Sequence, residues 1–463
     1  MEWVEGYQIP DTEIFFEGAW CYENDRQVIL LNKTGHIILL DKECYNLVIR
    51  KKISEDLAFK FLQRGFAHLS ELSSNTYRDD YEVSPQFFMI DFTNRCNMAC
   101  AYCLRECDRE RSEPKIIDRG MLRTIADSLA HYCQKYDIGH LMIQPWGGEP
   151  LLEKEKIFYF QDELIKREVN ADFLVETNGL LLNDKTIEEF AARNIFVSVS
   201  MDGNQTVQNF QRKLLGGGQS YKLVSEAVNR LKKTEGENTA VLATITSYSA
   251  CRIEDIIEFF AVEQGIKRIK INFVHPSSFV DNRELCLTTD EISECTVRIF
   301  NKVLELMDRG YVIYESNICT KLANLVLNNK TDACLCRGCN GGRKMLTIDC
   351  RGDVYPCDVT DYPEERLGNL NDNRDFIQMV EDALDTTPYF KKKRDVKCDT
   401  CPWYYYCRGG CTVHVKCAGK PAGSIDDIEC STNITLYPLL VKLILEEPDK
   451  VNTLLEQQVL ESK

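Results

Sequence analysis

Residues 87–103, FFMIDFTNRCNMACAYC, decide the fold of this chain. The apolar run FFMIDF (87–92) predicts a buried strand, and the polar loop after it carries thiols at Cys96, Cys100 and Cys103. Three thiolates at this spacing can bind three irons of a [4Fe–4S] cube and leave the fourth iron open to a ligand. A closed zinc site is the alternative, and Cys107 could supply the fourth ligand that it needs.

Outward from this loop, short apolar strands alternate with amphipathic helices between about residues 86 and 315. The predicted strands are 87–92, 141–146, 172–177, 195–200, 240–246 and 269–274. The predicted helices are 118–135, 153–168, 184–193, 220–234, 252–264 and 290–309. This alternation predicts an α/β fold with a parallel sheet, either open or closed into a partial barrel. Ligands of such folds gather at the C-terminal ends of the strands.

Polar motifs follow three of these strands: WGGEP (146–150), TNG (177–179) and SMDG (200–203). Together with CNMACAYC (96–103), they resemble the signature of the radical S-adenosylmethionine (SAM) enzymes. The resemblance implies a partial (β/α)6 TIM-like barrel in which a [4Fe–4S] cluster binds SAM at its open iron and cleaves it to a 5′-deoxyadenosyl radical. It also implies that SAM is held by Gly147, Gly148, Glu149, Thr177, Asn178, Ser200 and Arg212. An exposed structural arginine is the alternative for the last of these.

Cysteines crowd the region from Cys334 to Cys430. The spacing Cys339-x12-Gly352-x4-Cys357, then Cys398-x2-Cys401-x5-Cys407-x3-Cys411, then Cys430, is similar to the SPASM domain signature. By this resemblance, one auxiliary [4Fe–4S] cluster takes Cys339, Cys357 and Cys411, with Cys336 or Cys334 as the fourth ligand or an open iron. A second takes Cys398, Cys401, Cys407 and Cys430. A pair of zinc ribbons is the alternative, and Cys350 and Cys417 are expected to be bystanders.

Asp358 directly follows one of these cysteines. In anaerobic sulfatase maturases an aspartate at the matching position is thought to accept a substrate proton, so Asp358 is a candidate general base. A simple turn residue is the alternative. The segment 339–357 as a whole is more similar to peptide maturases.

The chain divides into an N-terminal unit (1–80), a radical SAM core (86–315), a SPASM domain (331–431) and C-terminal helices (432–463). In the first unit, apolar runs around a Thr-Gly turn predict a hairpin, and two helices follow, the second capped by Ser54. This small α+β, winged-helix-like layout is similar to the leader-recognition (RRE-like) domains of peptide maturases. The alternative is an extension that only packs on the core.

Bulk properties narrow the function further. The net charge of −16 argues against a nucleic-acid partner, because phosphate binding needs a basic surface. The chain shows no apolar run of about 18 residues and no secretory signal, so neither a membrane span nor export is expected. Twenty-two cysteines in such a chain indicate a reducing, cytoplasmic location where thiols bind metals.

The resemblance therefore predicts an oxidoreductase that matures a ribosomally synthesised precursor peptide through its leader. Cysteine thioether crosslinking is placed ahead of carbon–carbon crosslinking, with flavodoxin or ferredoxin as the electron donor. An anaerobic sulfatase maturase, which forms formylglycine from Cys or Ser, is the second hypothesis. An iron–sulfur electron carrier is the hypothesis from another class, although a carrier needs no SAM motifs.

Overall fold

The computed structural model describes residues 2–9, 14–69, 84–104, 115–277, 281–327, 334, 339–358, 362–372, 375–386, 395–421 and 423–460. Cys107 and Cys336, both considered as ligands above, lie outside the described residues, as do residues 70–83.

The N-terminal domain, residues 2–69 as described, is a small antiparallel sheet with two helices on it. Its elements are β1 (Glu2–Gln8), β2 (Ile14–Glu23), β3 (Gln27–Leu31), β4 (Ile37–Asp41), α1 (Lys42–Ile49), α2 (Glu55–Gln63) and β5 (Ala67–Leu69). The strand order is β1-β2-β3-β4, and β5 pairs with β2. Ser54 caps α2 by accepting from the Leu57 amide at 3.4 Å, and Asp41 caps α1 in the same way. Sequence patterns identified the β3–β4 hairpin and both helices, but not β1 and β2.

The next part of the chain alternates strands and helices. Its elements are β6 (Phe87–Thr93), β7 (Met98–Cys100), α3 (Arg119–Tyr136), β8 (Leu141–Gly147), α4 (Lys154–Ile165), β9 (Ala171–Thr177), α5 (Asp184–Ala192), β10 (Ile195–Ser200), α6 (Gln205–Gln211), β11 (Arg212–Leu214), α7 (Tyr221–Glu235), β12 (Ala240–Ile245), α8 (Ile253–Glu258), β13 (Arg268–Phe273), α9 (Thr289–Asp308), β14 (Tyr314–Glu315) and α10 (Ser316–Val326). Strands β6, β8, β9, β10, β12 and β13 are parallel neighbours in chain order. The predicted α/β fold with a partial barrel is therefore confirmed.

The two faces of the barrel sheet have different neighbours. Phe88, Ile90 and Phe92 of β6 join the large core under the helices. Met89, on the opposite and therefore inner face, packs with Met345, Tyr355 and Cys357 from the cysteine-rich region. The inner face of β6 thus meets this region directly.

The cysteine-rich region contains β15 (Met345–Ile348), β16 (Asp353–Tyr355), β17 (Gly368–Asn369), α11 (Phe376–Thr386), α12 (Tyr404–Cys407) and α13 (Thr412–Cys417). β15 runs parallel to β6, with Met345 opposite Phe87, and β16 and β17 continue the same sheet antiparallel. The region therefore extends the barrel sheet instead of forming a separate body.

Two helices, α14 (Asp427–Glu446) and α15 (Pro448–Leu460), close the described chain. α14 is long and apolar enough, by length and composition, to cross a membrane. In this structure it packs on α9, α10, α15 and β3, and Leu436, Tyr437 and Leu440 are buried in the core. These contacts are those of a core helix.

The N-terminal domain is docked on this C-terminal part. Val28 and Leu30 of β3 face the domain's own core, whereas Ile29 and Leu31 join the main core. Opposite β3, the Tyr406 hydroxyl donates to the Gly35 carbonyl at 2.6 Å. This docking places the domain beside the cysteines of the second predicted cluster.

Candidate functional site

The loop after β6 brings Cys96, Cys100 and Cys103, here called the core thiol group, into one half-buried place. β7 and β11 form a short antiparallel ladder in which Cys100 lies opposite Arg212. Burial raises the pKa of the Cys100 thiol to about 12; Arg212 opposes this rise, and the nearby Cys103 and Cys96 add to it. The structure thus holds neighbouring thiols in a place where burial opposes their deprotonation. This is expected of metal ligands, because a bound metal cluster supplies positive charge that stabilises the thiolates.

The spacing of the thiols bears on the kind of metal. Among the described residues, no three His, Cys, Asp or Glu side chains converge on a single ion. Each thiolate of a cubane binds a different iron, so cubane ligands need not converge as the ligands of one zinc ion must. The three neighbouring thiols of the core thiol group therefore match three irons of a [4Fe–4S] cluster.

Gly147 and Gly148 allow the loop after β8 to lie against the cysteine loop. A Cβ at Gly147 would lie 2.1 Å from the Thr93 carbonyl oxygen, and one at Gly148 would lie 2.3 Å from that of Arg95. Gly147 also has a φ of +129°, which side chains rarely adopt. Sequence reasoning explained these glycines by close approach to a ligand; the structure shows close approach to the backbone of the cysteine loop.

Glu149, Thr177 and Asn178 join the same site. The Glu149 carboxylate is 1% exposed and accepts from the Thr177 hydroxyl at 2.6 Å and the Asn178 amide at 2.8 Å. Burial raises its pKa, and the bond from Thr177 opposes the rise. The Asn178 side chain donates to Asn97 at 2.7 Å and lies 3.8 Å from the Cys96 sulfur. The buried carboxylate, whose bonded partners are neutral, is suited to a cationic ammonium group.

Arg212 belongs to a buried network that sequence reasoning did not identify. Its guanidinium donates to the Tyr102 hydroxyl at 2.6 Å and lies 3.8 Å from Asp202. Asp202 is fully buried and accepts from Tyr102 at 2.9 Å and from Gln211 at 2.8 Å. The exposed-arginine alternative is wrong, since the Arg212 side chain is only 11% exposed.

Ser200 ends β10 at the approach to Asp202 and is half-buried. The motif SMDG therefore predicted the correct turn after β10. The residue of this motif that is buried in the network is Asp202, whereas Ser200 was the residue predicted to contact SAM. Two sequence features could have indicated this network. They are the tyrosine directly before Cys103, which is Tyr102, and the aspartate of the SMDG motif, which is Asp202.

A second set of cysteines surrounds Cys357. Burial raises the pKa of Cys357 well above its usual range, and the nearby Cys339, Cys411, Asp358 and Cys334 add to the rise. Gly341 approaches within 3.4 Å of the Cys339 sulfur through its amide. The first auxiliary group, as defined here, is Cys334, Cys339, Cys357 and Cys411. Cys336 lies outside the described residues, so it stays a candidate for the fourth ligand beside Cys334.

The second auxiliary group is Cys398, Cys401, Cys407 and Cys430. Burial raises the pKa of Cys407 to about 12, and Cys401, Glu429 and Cys398 add to the rise. Burial also raises the pKa of Cys430, and the nearby Cys401 adds to the rise. Cys417 instead lies 3.2 Å from the Tyr362 hydroxyl, and burial raises the pKa of Cys350, with Asp349 and Asp91 adding to the rise. These neighbours are compatible with the two groups that the resemblance implied, and the role of the grouped cysteines as cluster ligands stays a prediction.

Asp358 is half-buried and lies near two histidines that sequence reasoning missed. His275 follows β13, and its ring lies 4.2 Å from the ring of His414 on α13, centroid to centroid. His414 donates from Nδ1 to the buried Asp426 at 3.0 Å. Single histidines this far apart in sequence carry no pattern that predicts their contact.

Comparison with known proteins agrees with this geometry. Residues 90–260 match the radical SAM superfamily, and residues 334–402 match the SPASM iron–sulfur cluster-binding domain. The cysteine-type anaerobic sulfatase-maturating enzyme of Clostridium perfringens is 24% identical over 326 residues, covering 68% of this chain and 85% of that protein.

Two solved structures share the fold. The structure of anSMEcpe with bound AdoMet and Cp18Cys peptide aligns with a TM-score of 0.67 at 20% identity, covering 78% of this chain and 99% of that chain. Streptococcus suis SuiB bound to precursor peptide SuiA aligns with a TM-score of 0.52 at 16% identity, covering 90% of this chain and 98% of that one. The matched domains imply a [4Fe–4S] cluster with SAM and auxiliary iron–sulfur clusters.

Proposed function

Because this chain is a radical SAM enzyme with a SPASM domain, we propose that it is a peptide maturase. Its substrate is a ribosomally synthesised precursor peptide, and its reaction is a cysteine thioether crosslink. The enzyme acts in the cytoplasm, where thiols stay reduced, and receives electrons from a flavodoxin or ferredoxin.

The observation that carries the proposal is the placement of two thiol groups along the inner side of the barrel. The core thiol group follows the C-terminal end of β6. Cys357, of the first auxiliary group, packs with Phe87 and Met89 near the other end of this strand. A peptide residue between the two groups could lose a hydrogen at one side and an electron at the other.

Named side chains would hold the cofactors. Cys96, Cys100 and Cys103 would bind the SAM cluster, and Glu149, with Thr177 and Asn178 behind it, would accept from the SAM ammonium. Gly147, Gly148, Ser200 and Arg212 would line the same site. The auxiliary clusters would be held by Cys334, Cys339, Cys357 and Cys411, and by Cys398, Cys401, Cys407 and Cys430.

When bound, SAM on its cluster supplies the radical that removes a substrate hydrogen, and an auxiliary cluster accepts the remaining electron. The chain itself orients the peptide and excludes water. Asp358, beside Cys357, would take the proton from the substrate thiol as the sulfur bonds to carbon. The crosslink therefore removes one C–H and one S–H hydrogen from the peptide.

The N-terminal domain supports a leader-dependent substrate. Strands β1 and β4 are the outer members of the sheet order over the described residues. An extended leader could add to either edge, because an edge strand offers backbone donors and acceptors. The docking uses β3 and also Ile37 of β4, which packs against the main core, so β1 is the edge better placed for this role.

A direct test first identifies a short Cys-containing reading frame beside this gene, and then supplies its peptide to anaerobically reconstituted enzyme with dithionite and SAM. We expect the peptide to lose the mass of two hydrogen atoms and SAM to yield 5′-deoxyadenosine. The variant with Cys96, Cys100 and Cys103 all replaced by Ala should give neither product. An unchanged peptide mass with the unmodified enzyme would contradict the crosslinking proposal.

Sulfatase maturation is the second candidate, favoured by the match to the Clostridium perfringens enzyme over 68% of this chain. Against it, the anSMEcpe alignment leaves about a fifth of this chain unmatched, whereas the SuiB alignment covers 90% of it. A sulfatase peptide that loses its Cys thiol in the same assay would support this candidate instead.

A further inference from the structure

His275 lies on a braced turn that touches the cysteine loop. The buried Asn282 side chain accepts from the Ser277 amide at 3.0 Å and donates to the His275 carbonyl at 3.1 Å. Ser277 in turn donates from its hydroxyl to the Leu104 carbonyl at 3.5 Å, one residue beyond Cys103. The His275 backbone is therefore fixed beside the end of the core thiol loop.

The other side of His275 faces the first auxiliary group. Its ring packs on His414 at 4.2 Å with an interplanar angle of 35°. His414 is held by Asp426, and the same carboxylate oxygen accepts from the Cys411 amide at 2.9 Å. His275 thus stands between the loop of Cys103 and the loop of Cys411.

The hydrogen bonds of the ring determine which nitrogen can contact a ligand. Nδ1 lies 3.0 Å from the Pro276 carbonyl, which can only accept, so Nδ1 carries the proton. Burial lowers the pKa of His275 to about 4, with His414 adding to the shift, and Asp426 and Asp358 oppose it. The ring is therefore neutral near pH 7, and Nε2 is left as a hydrogen-bond acceptor. The side chain is partly exposed, so a ligand can reach it.

We propose that Nε2 of His275 accepts a hydrogen bond from a peptide substrate bound between the two thiol groups and so positions the residue that loses hydrogen. The donor is a thiol, hydroxyl or backbone amide of that peptide. This inference rests on the proposed function, because it needs a peptide at this place. His275 is thus a substrate-positioning residue that no motif indicates.

The test compares three substitutions of His275 in the reconstituted, SAM-loaded enzyme. The probes are a short Cys-containing peptide identified beside this gene and a Cys-containing sulfatase peptide, each with fluorescein at its end. H275L and H275N remove the acceptor at the Nε2 position, whereas H275Q restores one there. H140L is the matched control, because His140 is 45% exposed and its ion pair is with the exposed Asp172 at 3.2 Å.

We expect H275L and H275N to weaken peptide binding, measured by anisotropy as Kd, about five- to tenfold, as the loss of one hydrogen bond predicts. The number of 5′-deoxyadenosine molecules per modified peptide should rise in both, and H275Q should restore most of each value. A purely structural role would show as lost iron in all three variants. If H275L fails to fold, the comparison of H275N with H275Q still decides.

Outcomes separate the two hypotheses. If the wild-type enzyme binds neither probe, the proposed function fails and this inference fails with it. If the wild-type enzyme binds a probe, and H275N matches H140L both in Kd and in the number of 5′-deoxyadenosine molecules per modified peptide, only the inference is overturned. A loss that persists when the probe's Cys is replaced by Ala assigns the donor to the backbone amide, and a loss that disappears assigns it to the thiol.

Discussion

Gly148 packs so closely on the cysteine loop that one added methyl group should displace the loop. In G148A the new Cβ would lie 2.3 Å from the Arg95 carbonyl oxygen and 2.8 Å from that of Asn94. Ordinary contact begins at 3.4 Å, so the loop must move by about 1.1 Å, the difference between 3.4 and 2.3 Å. Both neighbours are backbone atoms, which cannot rotate away as a side chain could.

The cost follows from the contacts that this movement breaks. Overpacking of this kind costs about 1–3 kcal/mol. The bonds from the Gly148 amide to Thr93 (2.7 Å) and from the Glu149 amide to Arg95 (2.8 Å) would be strained as well, each contributing about 1 kcal/mol. A displacement near 1 Å at reacting groups can lower the rate of catalysis by about 100-fold. Activity should therefore suffer more than folding.

The assay is iron content and SAM cleavage after anaerobic reconstitution. With one of three [4Fe–4S] clusters affected, G148A should bind roughly one third less iron, and 5′-deoxyadenosine formation should fall about 100-fold. G139A is the matched control, because a Cβ at Gly139 meets nothing within 4 Å. The reasoning is refuted if G148A equals G139A in both measurements.

Three further substitutions test other parts of the site. C334S should lower the iron bound to the first auxiliary group, whereas C417S should not; iron analysis and absorbance would show it, and equal iron in both would contradict the grouping. Y406F removes the hydroxyl that donates to Gly35 and should weaken domain docking by about 1 kcal/mol, measured as a lower midpoint of thermal unfolding than that of the unmodified protein. D202A removes the carboxylate that lies beside the buried guanidinium of Arg212. This change should destabilise the cluster-free protein by about 3 kcal/mol and lower its unfolding midpoint more than D202N does.

The barrel could be predicted from sequence because its signals are local. Each strand of β6 to β13 in the parallel order is an apolar run of six or seven residues followed by a helix with its own period. β15 was missed because it has four residues, and its pairing partner β6 lies more than 250 residues earlier in the chain. A strand defined by such a distant partner leaves no local pattern.

The candidate site also contains residues that local motifs predicted and residues that they did not. Cys96, Glu149 and Asn178 stand in recognisable motifs, and the structure brings them together. The interleaved auxiliary groups followed from family resemblance, since spacing alone cannot say which cysteine shares a cluster with which. The contact of His275 with His414 had no sequence signal, because it depends on how α13 packs against the end of β13.

The separation of the thiol groups follows from the strand that connects them. Cys357 belongs to the same buried cluster as Met89, and the core thiol loop begins after Thr93 at the end of the same strand. The four residues of parallel strand from Met89 to Thr93 span about 13 Å, so the two cluster sites lie towards opposite ends of this segment. Because β15 is hydrogen-bonded to β6, this distance does not depend on a flexible linker. The space between is wide enough for a peptide residue, and an electron released there could reach the Cys357 side without returning through the site where SAM is cleaved.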